Sequence, residues 1–180
     1  MNAKISAPSL GWRPGRLCRA LAGLALLVLS LSRTASAQEG RGETVTWTVS
    51  ARPQITAPAG SLTLILHGRV LEGWHVYSLK QLPGGPTPLR VSLDSNPIAT
   101  ASGELAGSPP IIIHDPDFDL DTQFYSHAFT ITLPLRIGVR PASGRTLIPV
   151  SVRFQTCNDR VCQPPKTVHL FASVTVAAGR

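Results

Sequence analysis

The ten residues AFTITLPLRI, Ala128–Ile137, set Phe129, Ile131, Leu133, Leu135 and Ile137 at every second position. Side chains of an extended chain point alternately to opposite faces, so all five share one face. That pattern is a half-buried β-strand. Working outward, the period recurs on both sides. IPVSVRFQ and TVHLFASVTV follow it, and TVTWTVS (Val45, Trp47, Val49), SLTLILHG (Leu62, Leu64, Leu66) and PLRVSLD (Leu89, Val91, Leu93) precede it. In GWHVYSL, Trp74 and Val76 alternate against His75 and Tyr77. Between the runs lie PAG, PGGPTP, GSPP, HDPD and PASG, which are turn chemistry. No segment of the body carries a 3.6-residue apolar stripe. Roughly eight short strands in one domain predict an all-β, immunoglobulin-like antiparallel β-sandwich, with a small closed barrel as the alternative.

The amino terminus bears on the compartment. Arg13, Arg16 and Arg19 precede the apolar run ALAGLALLVLSL, and Ala35-Ser36-Ala37 offers a small-x-small cleavage site. This is the pattern of a secretory signal peptide over residues 1–37. About 12 apolar residues span roughly 18 Å as a helix, short of a hydrocarbon core about 30 Å thick. Cys18 precedes the run and leaves with the peptide. Residues 38–44 then form a short tether and 45–176 the sandwich. The whole chain has 17 Lys+Arg against 10 Asp+Glu. Five of the basic residues (Lys4, Arg13, Arg16, Arg19, Arg33) and none of the acidic ones lie in the signal, leaving 12 against 10. The basic excess is a targeting feature, so no nucleic-acid partner is expected. A mature chain without a second long apolar run is not membrane-spanning.

Two cysteines remain, in VRFQTCNDRVCQPPKTV. Cys157 and Cys162 flank the loop NDRV, at the end of one strand and near the start of the last. A disulfide across such a hairpin is sterically plausible. Three readings are open. As a staple it closes a loop so short that it removes only about 2 kcal/mol of unfolded-state entropy. As a zinc clip it supplies two of four ligands, and the histidines (His67, His75, His114, His127, His169) show no paired spacing. No metal or other cofactor is therefore expected. As a working dithiol it has a thiolate for a partner and a second cysteine to resolve the adduct. Pro164 and Pro165, lacking N–H groups, prevent normal strand pairing just past Cys162 and leave room for a partner.

FQTCNDRVCQPP resembles the cysteine hairpin of the amino-terminal periplasmic domain of DsbD-type thiol:disulfide interchange proteins. EGWHVYS, Glu72 to Ser78, is similar to that family's glycine-aromatic-x-x-tyrosine strand. DPDFDLDTQFY, Asp115 to Tyr125, is similar to its loop of an acidic residue, a phenylalanine and a tyrosine seven positions on. The resemblance spans about residues 45–176. It implies a sandwich that takes electrons from a thioredoxin-like domain or membrane thiol transporter and passes them to periplasmic disulfide isomerases or other oxidoreductases. It further implies that Cys162 forms the mixed disulfide and Cys157 resolves it. Phe118 matches a cap over the dithiol, Asp117 an acidic residue of the cap loop, and Tyr77 a tyrosine near the pair. His75 stands where one family member has a tyrosine. The transporter and thioredoxin-like parts are expected on separate proteins. The other expectation is a secreted interaction module with a purely structural disulfide.

Overall fold

The computed structural model describes residues 43–178; the signal segment 1–37 and most of the tether 38–44 lie outside them. Thirteen strands cover the described residues. The first seven are β1 (Val45–Arg52), β2 (Ile55–Thr56), β3 (Ser61–Val70), β4 (His75–Tyr77), β5 (Arg90–Leu93), β6 (Ala99–Ala101) and β7 (Ala106–Gly107). There follow β8 (Ile111–Asp115), β9 (Leu120–Tyr125), β10 (Ala128–Ile137), β11 (Gly144–Phe154), β12 (Thr156–Cys157) and β13 (Lys166–Val176). Among the described residues no helix is long and apolar enough to cross a membrane.

The strands form three sheets. The first has the order β1–β3–β10–β6, with β7 also paired to β10; the second is β2–β13–β11–β5; the third is β12–β4–β9–β8. Pairing is antiparallel except for the two-residue β2 alongside β13. The five alternating residues of β10 are all buried. With Leu64 and Leu66 of β3 they meet Ile148, Val150, Val152 and Phe154 of β11 and Ala172, Val174 and Val176 of β13 in one apolar core. Burying each larger aliphatic or aromatic side chain contributes about 1.5–3 kcal/mol, so this stripe is what drives the sheets together. The result is an immunoglobulin-like sandwich with open sheet edges, not a closed barrel.

Two aromatic contacts clamp the layers. Trp47 on β1 lies edge-on to Phe129 of β10, with centroids 5.4 Å apart, and 5.4 Å from Phe154 of β11. Gly68 is the β-partner of both Trp47 and Phe129. A Cβ there would stand 2.5 Å from the Phe129 ring, so only glycine lets that ring lie flat across the strand.

Two prolines occupy inner strands, where a missing N–H ought to break a ladder. Both avoid the cost in the same way. The Pro134 carbonyl accepts from Ser102 N, just past the end of β6, and the Pro149 carbonyl accepts from Asp94 N, just past β5. A residue's N–H and C=O point to one side of an antiparallel strand, so each absent donor faces the place where its short neighbour has ended.

The structure differs from the sequence expectation in three respects. Six of the thirteen strands (β2, β6, β7, β8, β9 and β12) are additional to the alternating runs. Most are too short to show a period. Alternation in GWHVYSL does not separate buried from exposed: the consecutive Val76 and Tyr77 are both buried, at 0% and 4% exposure. Finally, most of DPDFDLDTQFY is strand rather than loop, because Leu120–Tyr125 is β9.

Candidate functional site

The third sheet lays Val76 and Tyr125 on the common core and carries Cys157. β12 is only Thr156 and Cys157, paired to Val76 and His75 of β4. Its inner face is fixed by Thr156, whose Oγ1 hydrogen-bonds Thr44 Oγ1 at 3.0 Å within the protein. Val76 and Tyr125 share that inner face, being cross-strand partners. Tyr125 stacks on Phe129 at 4.1 Å and donates its hydroxyl to the Ser108 carbonyl at 3.0 Å. By the two-residue period the opposite face carries Cys157, His75 and Tyr77, with Phe124 beside Tyr77 on β9.

Cys157 and Cys162 form a disulfide, with Cα atoms 4.0 Å apart. The loop between them is shaped by Asn158, whose side-chain oxygen accepts from Arg160 N and Val161 N, both at 2.9 Å. Asn158 N donates to the Val161 carbonyl, and Gln163 N to the Thr156 carbonyl at 2.8 Å, closing the hairpin on each side of the bond. β13 begins only at Lys166, beyond both prolines. The two sulfurs are not equivalent. Cys157 is 2% exposed, whereas Cys162 is open to solvent.

His75 faces the cysteines from the adjacent strand. Gly73 takes φ +78° in the turn where Trp74 N donates to the Leu71 carbonyl, and this aims Trp74 and His75 at the sheet. The imidazole packs against Tyr77, centroids 5.1 Å apart, and Phe124, at 4.9 Å. Burial pushes it below its ordinary 6.5, with the Asp115 and Asp159 carboxylates pulling partly back. The folded chain thus resists a proton that the unfolded chain accepts, and stability falls as pH drops through and below about 6.5, with no contribution from this group above. A His75→Gln variant is expected to lose that part of the acid slope. Chemical denaturation of both proteins at pH 7.5 and 5.5 measures it.

The tip of the β8–β9 hairpin covers Tyr77. Pro116 opens the turn, Phe118 N donates to the Asp115 carbonyl at 3.3 Å, and Asp117 N to Asp115 Oδ1 at 3.0 Å. Asp119 at φ +52° completes the reversal in a conformation aspartate tolerates. Phe118, 36% exposed, stands edge-on to Tyr77 with centroids 6.5 Å apart. Burial raises the Tyr77 phenol, and the carboxylates of Asp115 and Asp117 raise it further, so it stays neutral. The structure therefore links Cys162, Cys157, His75, Tyr77 and Phe118 in a continuous series, with Asp117 at its outer end.

Sequence reasoning missed Asp115 and Phe124 in this site. Both lie in DPDFDLDTQFY, where the resemblance implies a loop and the structure has the end of β8 and all of β9. Among the described residues no three or more of His, Cys, Asp and Glu converge to hold a metal ion. A Ser151–His169–Asp94 cluster on the second sheet is not poised for nucleophilic chemistry. The Ser151 hydroxyl donates to the Asp94 carboxylate at 2.7 Å, so its proton is held there and not by His169 Nδ1, 2.8 Å away.

Comparison with known proteins places this geometry. The family model described as "Thiol:disulfide interchange protein DsbD, N-terminal" matches residues 45–173. No curated protein sequence matches. Among solved structures, the N-terminal periplasmic domain of ScsB from Proteus mirabilis aligns at 16% identity and a TM-score of 0.46, covering 72% of this chain and 46% of that one. The major pilin subunit BcpA of Bacillus cereus aligns at 9% and 0.39, covering 73% and 39%. The chain thus spans under half the length of either, and at these scores neither likeness carries an argument.

Proposed function

The chain belongs to the family of the N-terminal domain of the thiol:disulfide interchange protein DsbD, and from that premise we propose that it relays electrons outside the cytoplasmic membrane through the Cys157–Cys162 pair. The observation that carries this reading is the unequal burial of the two sulfurs. Exchange requires in-line attack on one sulfur, and only Cys162 is open to a macromolecular thiolate.

The cycle follows. A thiolate of a thioredoxin-like donor attacks Sγ of Cys162, forming an intermolecular disulfide and releasing Cys157 as thiolate. The donor's second thiol attacks its own sulfur in that bond, leaving the donor oxidised and this chain reduced by two electrons, with two protons taken up. The Cys162 thiolate then attacks the disulfide of an acceptor, a periplasmic isomerase or another oxidoreductase. Cys157 attacks Cys162, and the acceptor departs as a dithiol. Phe118 acts as the cap, resting on Tyr77 when no partner is docked. Half-buried and neutral, His75 gives the departing Cys157 thiolate a polar neighbour without a fixed charge.

The test is thiol trapping. Oxidised protein mixed with a stoichiometric reduced thioredoxin-fold dithiol is expected to yield two free cysteines while its strand signal stays unchanged. A pair that remains oxidised in the folded protein means a structural staple, which is the other reading of the hairpin.

A further inference from the structure

A groove on the third sheet runs beside the cysteine hairpin, and of its walls the exchange cycle uses only His75. Its volume is ≈ 520 Å³, and its walls include Trp74, His75, Phe124 and Ile113. Its rim carries three carboxylates, Glu72, Asp115 and Asp159. Neither cysteine lines it, but Asp159 belongs to the loop between them and His75 is the strand partner of Cys157, so the groove lies beside the reactive hairpin.

Two independent observations indicate what the groove takes. The first is charge. Glu72 and Asp159 are exposed, and no Lys or Arg among the described residues pairs with any of the three carboxylates. Aromatic walls beneath uncompensated negative charge suit a cation with an apolar stem. The second is Thr122, which lines the groove at 1% exposure, its Oγ1 without a hydrogen-bond partner among the described residues. A buried hydroxyl left unpaired is costly; Oγ1 is closed to solvent as it stands, and a χ1 rotation toward an N–H donor in the groove removes that cost. Trp47 Nε1 is also buried without a partner, but Trp47 does not line this groove.

We propose that the groove receives a lysyl or arginyl side chain from the partner segment flanking the partner's reactive cysteine. The stem lies on Trp74 and Phe124, and the cationic head faces the carboxylates and donates to Thr122 Oγ1. The side chain thereby holds the partner's sulfur in register with Cys162. The identity of the occupant as a thiol–disulfide protein rests on the exchange reading above; the preference for a cation rests on the groove alone.

The probes are two extended peptides, each with a cysteine activated as its 2-pyridyl disulfide and either lysine or norleucine two residues along. The reduced protein's Cys162 thiolate displaces pyridine-2-thiolate, whose release gives the rate. The lysine peptide is expected to react about tenfold faster at low ionic strength, with the advantage shrinking as salt is added. Glu72→Gln with Asp159→Asn, both at exposed positions, should remove most of the difference. Thr122→Val should also reduce it while leaving the fold at least as stable, since valine fills the same space without the unpaired oxygen. Equal rates for the two peptides overturn the proposal and leave the exchange reading intact. So does a lysine advantage that survives all three substitutions. If neither peptide reacts, the exchange reading fails, and a cysteine-free lysine peptide titrated into the oxidised protein decides the groove. A shift of the Trp74 indole N–H signal supports it, and no shift overturns it. Concentration-dependent self-association through this face, without peptide preference, would assign the groove to a second copy and overturn it as well.

Discussion

Cys157→Ser is expected to accumulate a mixed disulfide with a thioredoxin-fold partner, whereas Cys162→Ser should yield almost none. The asymmetry follows from where each sulfur lies. Cys157 is 2% exposed, fixed opposite His75 in a two-residue strand whose other member bonds Thr44. No partner thiolate reaches it without unfolding the hairpin. Cys162 is exposed between Val161 and Gln163, past the Asn158 turn and before the two prolines. With serine at 157 the exposed thiol still attacks a partner disulfide, but nothing remains to resolve the adduct. With serine at 162 the surviving thiol is enclosed. Non-reducing electrophoresis after incubation with an oxidised partner reads the difference directly, and equal adduct from both variants would refute the assignment of roles.

The second large effect concerns the cap. Phe118→Ala should speed alkylation of the enclosed Cys157 thiol of the reduced pair by a small reagent roughly tenfold, leaving the already exposed Cys162 and the global stability little changed. The ring is a third exposed and touches Tyr77 at the tip of a hairpin, outside the main core. Its contact is then worth about 1–2 kcal/mol, less than a fully buried phenylalanine, and this equals the cost of opening the site. Three aspartates, Asp115, Asp117 and Asp119, surround it on the tip and prevent deeper burial. Iodoacetamide kinetics on the reduced protein, alongside a denaturant melt, separate a lid from a core residue. An unchanged Cys157 rate would mean that Phe118, resting on Tyr77, does not shield the pair, and a large loss of stability would make it a core residue.

Much of this was legible from residue order, for a physical reason. The long strands bury one face against a single core, so alternation in Ala128–Ile137 translates directly into burial of five side chains. The cysteine hairpin was legible too, since Asn158 and the paired prolines act locally. The third sheet was not. Its strand β8 begins with three consecutive isoleucines, all exposed and therefore without alternation. Tyr77 is buried although it alternates with the buried Val76, because the β8–β9 tip folds over it, a contact set by residues about 40 positions away. Thr122 gave no signal at all. A threonine in a strand is ordinary, and only the assembled sheet reveals that its hydroxyl lacks a partner.

The most direct measurement is the reduction potential of the Cys157–Cys162 pair, obtained by equilibrating the folded protein with defined thiol–disulfide buffers and trapping the free thiols. Structural disulfides of secreted proteins lie below about −300 mV, out of reach of most physiological donors, whereas exchange-competent pairs lie above it. A relay through an exposed Cys162 predicts a value above about −300 mV, within range of a thioredoxin-like donor. A value well below that, with the fold intact in both redox states, would contradict the account and leave the hairpin disulfide as a staple.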